Sequence, residues 1–332
     1  MMENRLTGNR RLRVAAVQMK SEKGRWEENL KRATPFIEQA VREGAQLVVL
    51  PEMAASGYSI EKSMWEAAEP VNGPTVAWLT GTAKRLGIYL GIGLEEAEGE
   101  DFYNTYVLAS PDGNVAGKVR KKHTEYSIFR ESHDPRVIDT GLGRIGIGIC
   151  ADNHYVDMPI EMQEKSIDLL LMPHAWPIPF KAAGLVKDDN VREQRETVKG
   201  YAQLFSKMLG VPSVFVNAIG PIGPGRWEGI LGKLMDPAIY GNAGYSTITD
   251  SDASLLMQLG PDEEGIIVAD VTLDSSRKVK TPPVNYGGWL HPGDPVFRNV
   301  VMPVEVCVAK LKYALRPGRK TKASSVSRGP GR

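Results

Sequence analysis

Two cysteines occur in the 332 residues, Cys150 and Cys307. The first ends the run Arg144-Ile145-Gly146-Ile147-Gly148-Ile149-Cys150-Ala151-Asp152, in which β-branched residues alternate with glycine. That alternation predicts a buried strand whose small positions let neighbouring backbone approach, with a thiol at its end facing a cleft. Free cysteines are also common small hydrophobes of protein cores, so Cys150 becomes chemical only in company. Glu52 follows the apolar run Leu47-Val48-Val49-Leu50, at a strand end where open α/β sheets carry their sites. Apolar neighbours there would raise its pKa and suit it to proton transfer; a helix cap or solvated loop charge is the structural alternative. The third group lies in Lys118-Val119-Arg120-Lys121-Lys122-His123. Val115, Gly117, Val119 and Lys121 share one face of an extended strand, and Lys118, Arg120 and Lys122 share the other. With the valines inward, Lys121 points into the protein and needs a negative partner. Arg120 and Lys122 then read as ordinary surface charges, and a wholly solvated basic strand is the alternative.

The elements that would position these residues alternate along the chain. Leu12–Gln18 opens as a strand, and apolar spacing over Asn29–Gly44 predicts a helix stopped by glycine. The strand 47–50 follows. Pro74 begins a second helix with Val76, Leu79, Ala83 and Leu86 inward and Gly87 as its stop. Ile88–Leu94 is a strand, and Asn104–Ala109 with Asn114–Lys121, joined at Pro111-Asp112-Gly113, forms a hairpin. Beyond the cysteine come a buried strand at Asp168–Met172, a long helix at Val191–Leu209 and a strand at Pro212–Asn217. Gly244–Thr249 and Gly265–Val271 supply two further strands, read as an antiparallel pair. No linker divides the chain, so an α/β class with helix-covered sheets in one domain over 1–315 is expected.

Composition bounds the partners. A hydrophobic fraction of 42% with 24% charged residues is ordinary for a globular protein. Two distant cysteines make no disulfide framework, and no Cys/His spacing resembles a metal site. The short apolar stretch Val14–Val17 is too brief for a signal peptide core or a membrane span, and a cytoplasmic location is expected. From Arg316 onward six basic residues and no acidic one leave the remaining chain with 35 basic against 40 acidic residues, a balance of −5. The tail 316–332 reads as disordered, and the acidic body argues against nucleic acid.

Three stretches in order, Pro51-Glu52 through Gly57-Tyr58, Gly117 through His123, and Gly143 through Asp152, resemble the nitrilase superfamily of carbon-nitrogen hydrolases. The likeness runs from Val14 to about Leu273 and takes in Val137-Ile138-Asp139-Thr140, Trp176, Val211–Gly220 and Gly244–Asp250. It implies a four-layer α-β-β-α sandwich, with a core over about 12–273, and homo-oligomers built through helices beside the site. The extension 274–315 would then face a partner subunit. By the same resemblance the catalytic glutamate falls on Glu52, the lysine on Lys121 and the nucleophile on Cys150. Parity along the strand points to the same lysine. A second glutamate belongs between lysine and cysteine; Glu125 is the nearest match and Glu131 the alternative.

In such a site Glu52 takes the thiol proton, and the thiolate attacks an amide, carbamoyl or nitrile carbon. Lys121 and the Ala151 N–H stabilise the developing charge; no cofactor or metal is required. Nitrilases of the family typically follow the cysteine with Trp-Glu, whereas amidase and carbamoylase branches carry an aromatic residue and Asp. Ala151-Asp152 therefore favours amide or carbamoyl cleavage, with Ala151 reshaping the pocket. Tyr58, His174 and Trp176 are candidate pocket residues. A Cys-His enzyme using His123, His154 or His174, and a non-catalytic scaffold, are the competing classes.

Overall fold

The structure, a computed structural model, describes residues 9–59, 62–184, 186–222 and 237–328. Its strands are β1 Arg10–Gln18, β2 Leu47–Val49, β3 Tyr89–Glu98, β4 Asp101–Ala109, β5 Val115–Arg120, β6 Val137–Thr140, β7 Gly143–Ile147, β8 Leu169–His174, β9 Pro177–Pro179, β10 Ser213–Asn217, β11 Ile219–Pro221, β12 Tyr240–Ala243, β13 Thr247–Thr249, β14 Leu255–Gln258 and β15 Gly265–Leu273. The α-helices are α1 Trp26–Arg42, α2 Pro74–Leu86, α3 Asp157–Glu164, α4 Asp188–Leu209, α5 Met302–Leu315 and α6 Arg319–Ser327.

Two six-stranded sheets form, ordered β15-β1-β2-β3-β4-β5 and β14-β13-β10-β8-β7-β6, beside a small sheet β11-β12-β9. In each large sheet three central strands run parallel and the flanking strands are antiparallel. Alternation assigns the layers. Val14, Ala16, Leu47 and Val49 of one sheet and Ile145, Ile147, Leu169 and Leu171 of the other share one buried cluster between the sheets. Ala15, Val17, Val48 and Leu50 instead meet Leu30, Ile37, Leu79 and Ala83 of α1 and α2. Leu170, Met172 and Phe215 meet Met158, Met162, Tyr201 and Phe205 of α3 and α4. The result is a four-layer α-β-β-α sandwich.

Several expectations change. β13 and β15 belong to different sheets; β15 pairs with β1, and β13 lies between β10 and β14. The glycines of the cysteine strand do make close approach possible, but to side chains rather than backbone. A Cβ at Gly146 would lie 2.3 Å from Met162 Sδ, and one at Gly148 would lie 2.1 Å from Asn153 Oδ1.

The tail is not a disordered segment through residue 328, because its basic residues meet an acidic rim. Arg319 pairs with Asp101 and donates to the Glu100 carbonyl at 2.6 Å, while Lys320 pairs with Glu100 at 2.8 Å. Ala323 of α6 is buried with Met53, Trp65, Phe102 and Tyr313. Part of the 274–315 extension also returns to its own chain, since Leu290 donates to the His154 carbonyl at 2.9 Å and Trp289 lies against Tyr155.

Candidate active site

The C-terminal ends of β2, β5, β7 and β8 converge on one edge. Glu52 follows β2 and is buried, and the backbone turns sharply there, with Met53 at φ 52°. That turn needs Gly93 on β3, where a Cβ would fall 2.4 Å from Met53 N. Glu52 Oε1 accepts from Lys121 Nζ and from Asn104 Nδ2, each at 2.7 Å, and Oε2 accepts from the Ala175 N–H at 2.8 Å. A carboxylate oxygen offers about two acceptor directions, so Oε2 keeps one to receive a proton.

Lys121 sits one residue past β5 with a fully buried side chain. Its ammonium lies 2.7 Å from Glu52 and 2.7 Å from Glu125. Glu125 Oε1 also accepts from Tyr58 OH at 3.0 Å. Glu131 is elsewhere, paired with Lys310 at 2.6 Å. Arg120, expected on the surface, is buried because Glu96 lies across the outer face of the sheet and takes its Nε and Nη2, each at 2.8 Å. Lys122 is half-buried and pairs with Asp157 at 2.8 Å.

Cys150 opens a 3-10 turn over Cys150–His154, directly past β7. Its φ of 45° places a side chain in the left-handed region at a cost of about 1–3 kcal/mol. The first N–H groups of such a turn, Ala151's among them, have no carbonyl behind them within the turn.

The charges are interdependent. Burial raises the Glu52 pKa despite Lys121 beside it. At Glu125 burial acts upward as well, but the Lys121 ammonium and its hydrogen bond prevail and hold the carboxylate below its ordinary value. Burial works against the Lys121 charge, and Glu125 and Glu52 more than restore it. Burial first, then the Glu52 charge, push the Cys150 thiol well up, with Lys121 opposing. The arrangement is a Lys121–Glu125 ion pair beside a carboxyl and a thiol that burial pushes toward their protonated forms.

Asp152 ties the segment after β5 to the segment after β7. Its Oδ1 accepts from the N–H groups of Lys122 at 3.1 Å and His123 at 2.8 Å, and its Oδ2 from the Ile149 N–H at 3.3 Å. Behind it the buried Arg136 reaches Asp157 at 2.9 Å and Glu161 at 2.8 Å. Sequence reasoning used Asp152 only as a branch mark and missed Asn104 and Ala175. Asn104 stands on β4 opposite Glu95 of β3, and among the described residues neither Glu95 oxygen has a hydrogen-bond partner.

The three candidate histidines have hydrogen-bond partners other than the thiol. His174 is buried between the Met172 carbonyl on Nδ1 and the Asn153 amide on Nε2, and burial takes its pKa down to about 3. His154 meets Tyr201 OH at 3.0 Å, and burial brings its pKa to about 3 as well. His123 bonds Asp157 at 2.9 Å. Trp176 is half-buried, edge-on to His154 and Tyr201. A separate cleft of about 420 Å³, lined by residues such as Phe180, Arg192, Arg195 and Tyr245, contains none of these groups.

The layered fold and this strand-end site define a hydrolase scaffold of the α-β-β-α type. The chain belongs to the carbon-nitrogen hydrolase family, which it matches over residues 13–281. It is 34% identical over 268 residues to the omega-amidase NIT2 of Xenopus tropicalis, covering 76% of this chain and 86% of that one. It is 33% identical over 176 residues to a nitrilase of Pyrococcus abyssi, covering 51% of this chain and 67% of the relative. Its fold is similar to that of an amidase from Nesterenkonia sp., with a TM-score of 0.63 at 22% identity over 80% of this chain and 91% of that one. The protein is thus a carbon-nitrogen hydrolase. Among the described residues no helix is long and apolar enough to cross a membrane.

Proposed function

We propose that the protein hydrolyses an amide or N-carbamoyl compound through a thioester on Cys150, with Glu52 as base, Lys121 as electrostatic stabiliser and Glu125 as the lysine's fixed counter-ion. The observation that carries this reading is the fully buried Lys121 ammonium bridging two carboxylates at 2.7 Å each. Burying three such groups together costs several kcal/mol before their attraction is counted, and a purely structural strand end has no use for it. Substrate carbonyl oxygen placed beside Lys121 and the Ala151 N–H would present its carbon to the thiol. The thiol proton passes to Glu52 as the S–C bond forms, and the oxyanion is stabilised where charge develops. Collapse breaks the C–N bond, and Glu52 returns the proton to the departing ammonia or amine. Glu52 then deprotonates water, which attacks the thioester; expulsion of the sulfur, which takes that proton back from Glu52, frees the carboxylic acid and restores the thiol.

Amide chemistry is favoured over nitrile chemistry by the Ala151-Asp152 pair after the nucleophile and by the likeness to an omega-amidase over most of both chains. The relative named a nitrilase gives the second reading its support. A free thiol nucleophile suits a reducing cytoplasm. The test is a panel of amides, N-carbamoyl compounds and nitriles assayed with wild type and Cys150→Ala. Amide or carbamoyl turnover that the substitution abolishes is expected; turnover of nitriles alone overturns the reading.

A further inference from the structure

Asn104 grips Glu52 Oε1 through Nδ2 at 2.7 Å, which leaves its Oδ1 as the atom in need of a donor. Among the described residues Oδ1 has none. The residue across the ladder has the same deficit. Glu95 faces Asn104 directly in the β3–β4 register, both side chains are buried, and among the described residues neither Glu95 oxygen has a partner. Residues opposed across an antiparallel ladder project to one face with Cβ atoms about 4.5–5.5 Å apart. That face carries the Glu52 turn, because a Cβ at Gly93, two residues before Glu95, would lie 2.9 Å from Glu52 Cα.

Buried oxygens that only accept are destabilising when they gather without a donor. An amide carbonyl takes no proton near neutral pH, whereas a carboxylate can. A proton on Glu95 turns one of its oxygens into a donor for Asn104 Oδ1. Burial drives the carboxyl that way, holding its pKa well above the ordinary range with Lys23 and Lys322 opposing. We propose that Glu95 is a positioning residue: as a neutral carboxylic acid it donates its O–H to Asn104 Oδ1 and so locks the Asn104 amide with Nδ2 on Glu52. The inference rests on the reading of Glu52 as the base. Its consequence is electrostatic as well as geometric, since burial raises the Glu52 pKa, the Lys121 charge opposes it, and the Asn104 hydrogen bond also lowers it.

The experiment compares Glu95→Leu and Glu95→Gln in the full chain, each alone and in the Asn104→Ala background, with an amide that the wild type hydrolyses. Glu95→Leu removes the donor and is expected to lower kcat about 10–100-fold with KM changed less than about threefold. The acidic limb of its rate–pH profile, set by ionisation of Glu52, should move up by about one pH unit. Glu95→Gln keeps an N–H at the same reach and should recover kcat to within about threefold of wild type. In Asn104→Ala, Glu95→Leu should lower kcat by no more than about twofold further, because its effect runs through Asn104. A Gln variant as slow as the Leu variant, an unmoved acidic limb, or an equal loss in both backgrounds would overturn the inference. A crystal structure of the wild type tests it without relying on any variant's folding. A Glu95 oxygen about 2.5–3.0 Å from Asn104 Oδ1 is expected, and a Glu95 carboxylate turned to Lys23 instead would contradict it. Full activity of Glu52→Gln would overturn the reading of the base and the positioning role with it. An inactive Glu52→Gln beside an unaffected Glu95→Leu would overturn the positioning role alone.

Discussion

At the residue scale the proposed chemistry turns on a proton passing between Cys150 and Glu52. Glu52 and Cys150 are both pushed toward their protonated forms by burial, and Lys121 keeps the pair from becoming inert. Replacing Cys150 by Ala or Glu52 by Gln is expected to lower kcat on the order of 10⁴-fold, as removal of a nucleophile or its base does in other covalent hydrolases. A comparable loss on replacing His154 or His174, with the fold retained, would point to the Cys-His class. Glu95 gives a test of stability. Burial holds its carboxyl well above the ordinary range, with Lys23 and Lys322 opposing. Between its unfolded and folded pKa the native state therefore binds the extra proton, so stability falls as pH rises through that window and stays lowered above it. Glu95→Gln is expected to raise stability by about 1–3 kcal/mol at pH 8 and much less at pH 4; equal thermal shifts at both would contradict this. Cys150, Glu52 and Lys121 could be singled out in the sequence because each lies at or just past a strand end and pattern fixes which face it takes. Glu125 and Glu131 could not be separated, since both lie in an irregular stretch where no periodicity says which turns inward.

At the element scale the site is a set of strand ends that must be held in register. Asp152 does this by accepting N–H groups from the lysine loop and from the end of the cysteine strand. Asp152→Ala would leave those donors unpaired and deprive Arg136 of a buried partner. A loss of about 3 kcal/mol in urea unfolding is expected, with a fall in kcat; unchanged kcat would show that the two loops hold their geometry without it. The strands and helices over 10–217 were largely readable from alternation and glycine stops, as with α2 between Pro74 and Gly87. β13 and β15 were mispaired because alternation states that a strand is half-buried, not which sheet receives it. Arg120 was misplaced for a related reason: the outer face of β5 looks like solvent until Glu96 of β3 is set across it.

At the scale of the whole molecule the C-terminal helices reach toward the site. Ala323 of α6 shares a buried cluster with Met53, next to Glu52, and with Phe129, just beyond Glu125. Removing residues 316–332 is expected to lower Tm by several degrees and kcat by several-fold, and a fully active, equally stable truncation would contradict that link. This helix was illegible in the sequence because its composition is that of a solvated tail. Its order comes from Asp101 and Glu100, more than 200 residues away, and no local pattern records such a partner.

The central claim, a thioester on Cys150, is tested most directly by rapid-quench mass spectrometry of the enzyme while it turns over an amide. The account predicts a transient mass gain equal to the acyl group on the peptide holding Cys150, removable by hydroxylamine and absent in Cys150→Ala. Continued turnover with Cys150 unmodified, or undiminished turnover by Cys150→Ala, would contradict it.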